Sequence, residues 1–131
     1  MKDNRLESLN ISGEKGDFYI PFVNFDAETG VCLMEGESYL ENTWDFYENL
    51  LNWLKAYAAT KRPIQFDFKL AYFNTSSSKG ILQLLEFLEK YEAEGGEVSV
   101  NWYYPSHDED LKEEAEDFMI DTNLKINMYA V

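Results

Sequence analysis

Four hydroxyl side chains stand together near the middle of this sequence. Thr75, Ser76, Ser77 and Ser78 follow Asn74, after an alternating apolar stretch and before an amphipathic one. We therefore predict that they lie where a strand ends and a helix begins. A helix start has unpaired backbone N–H groups and a partial positive charge, which would stabilise a phosphate. Because phosphorylation adds about −1.5 to −2 charges, the chemistry that this segment suits is a phosphate switch.

Helix capping is a simpler explanation of the same residues. Ser, Thr and Asn are the preferred N-cap residues, and a serine-rich helix start is common in proteins that are never phosphorylated. The pattern of residues 74–78, taken alone, therefore favours capping over a switch.

The other residues that carry chemistry form no recognisable catalytic or metal site. His107 is the only histidine, and no second His or Cys completes a ligand set with it. A nucleophilic hydroxyl would need an oriented base, and the sequence offers neither that pair nor a glycine-rich phosphate loop. Cys32, the only cysteine, lies in an apolar run, which favours a packed thiol. We expect no catalysis, no metal and no cofactor.

Composition narrows the classes of partner. The 131 residues are 45% hydrophobic and 16% aromatic, enough for one domain with a substantial core. The net charge is −14, and the 11 Lys and Arg residues are scattered along the chain. This charge disfavours binding to nucleic acid or to anionic membranes and favours binding to a basic surface of a partner protein. The first residues are polar, and no apolar run has the length of a membrane span, so we expect a cytoplasmic protein.

The elements that position the hydroxyls follow from periodicity. Residues 1–15 are mostly polar and predict a flexible N-terminal arm, whereas residues 16–131 predict a single domain. The apolar run Phe18–Phe25 contains Pro21, which is typical of an edge strand. With Val31–Met34 it predicts a β-hairpin.

Helices and strands then alternate. Asn42 and Asp45 predict the cap of a first helix, whose apolar stripe is Trp44, Tyr47, Leu51, Leu54 and Ala58, widened by Leu50 and Tyr57. Alternation from Ile64 to Tyr72 predicts a strand, and a second helix follows that ends near Glu94.

The last third predicts a strand from Val98 to Trp102, a helix from Asp108 and a strand from Ile126 to Ala130. Glu113, Glu114, Glu116 and Asp117 are interpreted as a solvated helix face. The fold class is α/β: a mixed sheet of about five strands, an N-terminal β-hairpin followed by β-α-β-α-β. Polar residues alternate within the strands, so we expect the helices mainly on one face.

Three segments resemble the SiaC family of regulatory phosphoproteins. Leu70–Leu82 resembles the family's hallmark segment, with its Asn-Thr-Ser-Ser core at residues 74–77. Glu35–Thr43 resembles the loop before its first long helix, and Val100–Tyr104 resembles a later strand. The resemblance runs from about Phe18 to the end of the chain.

Two positions depart from the family pattern. Leu40 stands where a proline is expected, and Gly80 stands where an alanine is common. A glycine inside a helix lowers helix propensity by roughly 1 kcal/mol relative to alanine.

The resemblance implies a STAS-like fold, similar to anti-sigma-factor antagonists, in which a Ser/Thr protein kinase phosphorylates Thr75. Ser76 and Ser77 are secondary candidates. It also implies that the unphosphorylated protein binds and activates a diguanylate cyclase, a GGDEF protein of c-di-GMP signalling, and that a PP2C-type phosphatase removes the phosphate. Biofilm formation is the usual output of this family.

We expect partners to dock on the helix start and on the loop that resembles the family's. The residues of this predicted surface are Glu35, Gly36, Glu37, Ser38, Tyr39, Glu41, Asn42, Asn74, Ser76 and Lys79.

Two alternatives remain open. One is an anti-sigma-factor antagonist that uses the same switch on an anti-sigma kinase. The other is a STAS-like ligand-binding module with its pocket on the uncovered sheet face, near Gln65, Asp67 and Lys69.

Overall fold

The computed structural model describes residues 6–131, which form eight strands and three helices. The strands are β1 (Leu9–Ile11), β2 (Glu14–Lys15), β3 (Tyr19–Ile20), β4 (Phe22–Phe25), β5 (Val31–Ser38), β6 (Ile64–Phe73), β7 (Val98–Tyr104) and β8 (Ile126–Ala130). The helices are α1 (Thr43–Ala58), α2 (Thr75–Ala93) and α3 (Glu109–Asp121). None of these helices is long and apolar enough to cross a membrane.

Six strands form one mixed sheet in the order β1-β4-β5-β6-β7-β8. The first three pair antiparallel, and β5 to β8 pair parallel. Because each parallel connection moves one position in the same direction, right-handed crossovers place α1, α2 and α3 on one face. Burial agrees: Phe66 and Phe68 of β6 are buried, whereas Gln65 and Lys69 are exposed. The predicted mixed α/β sheet with helices on one face is confirmed.

An aromatic layer fills the space between this sheet and the helices. The rings of Phe66 and Phe68 stack with their centroids 4.4 Å apart, and those of Phe68 and Trp102 with theirs 4.5 Å apart. Aromatic pairs stabilise a core beyond their buried area. Cys32 is fully buried, and burial raises the pKa of its thiol well above the ordinary value, so the predicted packed thiol is confirmed.

The N-terminal segment differs from the sequence-based expectation. Leu9–Ile11 pairs with β4, and Glu14–Lys15 pairs with β3, so these residues of the predicted flexible arm lie in strands. Residues 1–5 lie outside the described part of the chain. Since β1 covers the outer side of β4, the predicted edge position of that strand is wrong. Pro21, which lacks an N–H donor, separates β3 from β4 instead.

The buried stripe of α1 begins one turn later than predicted. Trp44, in the first turn, is 58% exposed, whereas Tyr47, Leu50 and Leu54 are buried. The assignment of Trp44 to the core is therefore wrong. A helical period fixes the direction in which a side chain points, but not how far along the helix the neighbouring layer extends.

Candidate functional site

The helix start after β6 is capped by Asn74 and not by Thr75. Asn74 has extended backbone angles, and its side-chain oxygen accepts a hydrogen bond of 3.0 Å from the backbone N–H of Ser77. Thr75 is the first residue of α2. Capping therefore explains Asn74 but leaves the hydroxyl of Thr75 without a structural role.

Thr75 is exposed, and its hydroxyl makes no hydrogen bond within residues 6–131. Its neighbours differ from it in this respect. The Ser76 hydroxyl is exposed but lies 3.1 Å from Thr43 Oγ1 and donates to Asn74 Oδ1. The Ser77 side chain is fully buried, which argues against Ser77 as a second phosphate acceptor. The Ser78 side chain is partly buried. Of the four residues, Thr75 is the one that combines an exposed side chain with a hydroxyl that makes no hydrogen bond within residues 6–131.

Three buried hydroxyls connect α1, β5 and α2. Ser38 Oγ donates to Ser77 Oγ at 2.8 Å, and Ser77 Oγ donates to the Ser38 carbonyl at 3.0 Å. The Tyr47 hydroxyl lies 2.7 Å from Ser38 Oγ, and it must be the donor because the Ser38 hydrogen is already used. Burial raises the pKa of Tyr47 to about 12, so it remains a neutral phenol. Each of these three buried hydroxyls, on Ser38, Tyr47 and Ser77, therefore donates to an acceptor.

The same contacts join the predicted docking loop to the helix start. Strand β5 continues to Ser38, so the part of the predicted loop from Glu35 to Ser38 is strand. Ser38 pairs with Phe73, and the Asn74 N–H donates to the Ser38 carbonyl. Asn42 caps α1 by accepting from the Asp45 N–H at 3.2 Å, as predicted. The ends of β5 and β6 therefore lie side by side, with both helix starts above them.

Not all predicted docking residues lie at this end of the sheet. Glu35 pairs with Lys69 and projects from the uncovered face, away from the helix start. Gly36 has a φ of 110° at a shift in strand register, a conformation that favours glycine. Glu37 lies 3.4 Å from Lys15 in an ion pair. Tyr39 pairs with Tyr19 through two backbone hydrogen bonds.

Lys79 is better placed with respect to Thr75. It is exposed on α2, four residues after Thr75, and side chains four residues apart share a helix face. Glu41 and Asn42 are exposed on the loop before α1. Thr43, the next residue after this loop, lies 3.1 Å from Ser76 through its Oγ1, so Glu41 and Asn42 lie near the α2 start.

A groove of about 300 Å³ separates Thr75 from α3. Thr75 and Ser78 line one side, and three carboxylates of α3 line the other: Glu114, Asp117 and Asp121. The pKa of Glu114 is raised, first by partial burial and then by the neighbouring carboxylates of Asp108, Asp110 and Asp117. Every titratable side chain that lines this groove is acidic, so an added negative charge would be repelled there.

Gly80 allows the two helices to approach closely. A Cβ at this position would lie 2.4 Å from two ring carbons of Tyr47. No alanine fits unless the ring moves. The departure from the family pattern at Gly80 therefore has a packing reason in this chain.

Sequence reasoning missed two groups of residues. Helical spacing predicts that Tyr47 is buried but not that its hydroxyl bonds to Ser38, because no periodicity reveals a hydroxyl network. Glu114 and Asp117 are exposed, as expected for a solvated helix face, but the sequence does not place them beside Thr75. Their spacing did contain a signal, because residues 114, 117 and 121 lie on one side of a helix. Only the tertiary structure shows that this side of α3 faces Thr75.

The polar residues of the uncovered sheet face bond mainly to one another. Asp67 Oδ1 accepts from Asn101 Nδ2 at 2.8 Å and from Gln65 Nε2 at 3.2 Å. Asn127 Nδ2 donates to Asn101 Oδ1 at 3.1 Å. Within residues 6–131 no group of three or more His, Cys, Asp or Glu is arranged to hold a metal ion.

Comparison with known proteins gives consistent results over nearly the whole chain. A family model described as SiaC family regulatory phosphoprotein matches residues 11–131. An uncharacterised protein of Pseudomonas aeruginosa strain UCBPP-PA14 is 31% identical over 126 residues, which are 95% of this chain and 98% of the relative.

Two solved structures are similar in fold and sequence. The crystal structure of apo-SiaC from Pseudomonas aeruginosa has a TM-score of 0.87 at 30% identity, over 95% of this chain and 100% of that one. SiaC in the crystal structure of the diguanylate cyclase SiaD with its activator SiaC, from the same species, has a TM-score of 0.83 at 30% identity. That match covers 92% of this chain and 100% of that one.

Proposed function

The chain belongs to the SiaC family of regulatory phosphoproteins, and we propose that it is a cytoplasmic, non-enzymatic regulator that binds and activates a diguanylate cyclase. The main support is the likeness to SiaC, whose complex with the diguanylate cyclase SiaD has been solved. The likeness extends over almost the full length of both chains, so no part of the known activator lacks a counterpart here.

The proposed switch is phosphorylation of Thr75. The observation that carries it is the contrast among the hydroxyls of the α2 start. Ser76 and Ser77 make hydrogen bonds and Ser78 is partly buried, whereas Thr75 is exposed and its hydroxyl makes no hydrogen bond within the described chain. A Ser/Thr protein kinase would attach the phosphate, and a PP2C-type phosphatase would remove it. Activation of the cyclase belongs to the unphosphorylated form.

The groove beside Thr75 supplies a physical reason for the switch. The backbone N–H groups of the α2 start and the Lys79 ammonium attract a phosphate. Glu114, Asp117 and Asp121, across the groove, repel it. A phosphate held by the helix start therefore pushes α3 away from α2 and changes the shape of this end of the protein.

The buried hydroxyl chain carries the change to the docking loop. Ser77 lies two residues after Thr75 and is bonded to Ser38, which ends β5 immediately before the loop. Thr43 Oγ1, at the start of α1, lies 3.1 Å from Ser76 Oγ. A displaced α2 start would therefore disturb the positions of Tyr39 to Asn42.

The experiment that tests the switch is intact-mass measurement. The purified chain is incubated with ATP and the kinase of the same organism, and the modified site is mapped by fragmentation. We expect one phosphate at Thr75, none in Thr75→Val, and unchanged phosphorylation in Ser76→Ala. A single phosphate on Ser76, or continued modification of Thr75→Val, would contradict the assignment.

The two alternatives have less support. An anti-sigma-factor antagonist would use the same switch with another partner, and binding assays against each partner class separate the two functions. A ligand-binding module would need polar groups that are ready to bind a ligand. Asp67, Asn101 and Asn127 on the uncovered face instead bond to one another as a ladder.

A further inference from the structure

A second groove, of about 760 Å³, lies beside the loop that precedes α1. Its apolar lining comes from the two-stranded β2–β3 sheet, the loop and α1: Phe18, Ile20, Leu40 and Phe46. Phe18 is 38% exposed, and the other three are partly exposed. Partly exposed apolar side chains gathered around a groove are typical of a protein–protein contact site.

The wall of this groove is held in place without a partner. Tyr19 and Tyr39 exchange two backbone hydrogen bonds, of 2.7 and 2.9 Å, which fasten β3 to the loop. The ring of Phe18 stacks on that of Tyr39, with the centroids 5.7 Å apart. A preformed wall reduces the entropy that binding must overcome.

The rim of the groove is acidic. Glu14, Asp17 and Glu41 line it together with one cation, Lys15, whose ammonium is shared with Glu37 at 3.4 Å. The whole chain carries a net charge of −14. Such a rim favours a partner that carries Lys or Arg on either side of an apolar side chain.

The groove adjoins the proposed switch. Leu40 and Glu41 line it, and the next residue, Asn42, caps α1. The hydroxyl of the following residue, Thr43, lies 3.1 Å from the Ser76 hydroxyl. Ser76 is the residue directly after Thr75. A rearrangement of the α2 start would therefore move one wall of the groove.

We infer that this groove binds a basic amphipathic segment of the diguanylate cyclase. A large apolar side chain of the partner enters between Phe18, Leu40 and Phe46, and its flanking Lys or Arg side chains face Glu14, Asp17 and Glu41. This inference rests on the proposed function and names the surface through which that function is carried out.

The test measures affinity for the full-length cyclase of the same organism by calorimetry or interferometry. Phe18→Ala removes the exposed ring, and we expect binding at least about tenfold weaker, as for a central aromatic anchor. Glu41→Lys reverses one rim charge on an exposed loop, and we expect weaker binding with a reduced dependence on salt. Circular dichroism confirms that both variants remain folded.

Matched controls lie outside the groove. Tyr129→Ala removes an aromatic ring that is 45% exposed on β8, and Glu92→Lys reverses an exposed charge in the last turn of α2. Both should bind within about twofold of the unmodified chain. Their affinities control for the general effects of losing a surface ring or a negative charge.

The outcomes separate the two proposals. If the unmodified chain binds the cyclase and both groove variants bind as tightly, the groove assignment is wrong and the proposed function stands. If the unmodified chain does not bind the cyclase, the proposed function fails and the groove assignment fails with it. If light scattering of the chain alone shows a dimer that Phe18→Ala dissolves, the occupant is a second copy, which also overturns the inference.

Discussion

Ser38 Oγ donates a buried hydrogen bond of 2.8 Å to Ser77 Oγ, which joins the last residue of β5 to the first turn of α2. These residues are 39 positions apart in the chain. Ser38 directly precedes the predicted docking residues Tyr39, Glu41 and Asn42, and Ser77 follows Thr75 by two residues. The bond therefore links the two parts of the surface that the proposed switch must coordinate.

Ser77→Ala tests how strongly this link stabilises the fold. The substitution leaves the Ser38 hydroxyl without its acceptor in a buried site, so we expect a loss of about 1–3 kcal/mol in the free energy of unfolding. Urea denaturation measures it. Ser76→Ala, at an exposed position, is the control and should stay within about 0.5 kcal/mol of the unmodified chain. Equal effects of the two substitutions would show that the buried bond contributes little.

Gly80→Ala should destabilise the protein although alanine is the better helix former. The new Cβ would lie 2.4 Å from the Tyr47 ring, and overpacking costs about 1–3 kcal/mol, more than the gain of about 1 kcal/mol in helix propensity. In a Tyr47→Ala background the clash is absent, and the same substitution should become stabilising. Thermal unfolding of the four proteins checks the reversal of sign; stabilisation in both backgrounds would refute the packing argument.

Glu114→Gln should stabilise the protein at neutral pH. Partial burial and neighbouring carboxylates raise the pKa of Glu114 above its ordinary 4.5 in the folded state, so ionisation of this group opposes folding. That cost is absent below pH 4.5 and is fully present once the pH exceeds the raised pKa. The gain in Tm should therefore be largest near neutral pH and disappear in acid. Glu113→Gln, at an acid of α3 that does not line the groove, should show no comparable gain.

Thr75→Ala and Thr75→Asp should differ in binding to the diguanylate cyclase. Alanine keeps the unphosphorylated charge, so we expect unchanged affinity. Aspartate places a negative charge beside the acids of α3, and we expect an affinity at least about tenfold lower, which corresponds to about 1.4 kcal/mol. A pull-down followed by titration measures both. Ser106→Asp, on an exposed turn, controls for charge alone, and equal binding of both Thr75 variants would count against the switch.

The acidic groove predicts an energetic coupling between Thr75 and Asp117. A carboxylate in the first turn of a helix normally stabilises it by about 0.3–1 kcal/mol, but here Asp117 lies across the groove. Thr75→Glu should therefore be more favourable in an Asp117→Asn background, by about 0.5 kcal/mol or more. A double-mutant cycle from urea denaturation measures this difference. The same cycle with Glu92→Gln should give no coupling, and a zero value at Asp117 would remove the repulsion argument.

The helices and the parallel strands were predictable because their signals are local. Alternation from Ile64 to Tyr72 depends only on which side of a strand faces the core. The same holds for the helical spacing of Ile81, Leu84 and Leu88 in α2. The N-terminal strands gave no such signal. Leu9–Ile11 is too short to show an alternating pattern of apolar and polar residues. Its pairing with β4 depends on a strand in a separate part of the chain.

The sequence alone determined the acidity of the chain and the positions of the helix starts, because residue types and near neighbours decide them. The choice of Thr75 among the four hydroxyls came from the family resemblance. Only the tertiary structure decided which hydroxyls are available. Folding buries Ser77 against Ser38, bonds Ser76 to Thr43 and leaves Thr75 exposed across a groove from Asp117. Hydrogen-bond partners and electrostatic neighbours come from elements distant in the chain, so no local pattern contains them.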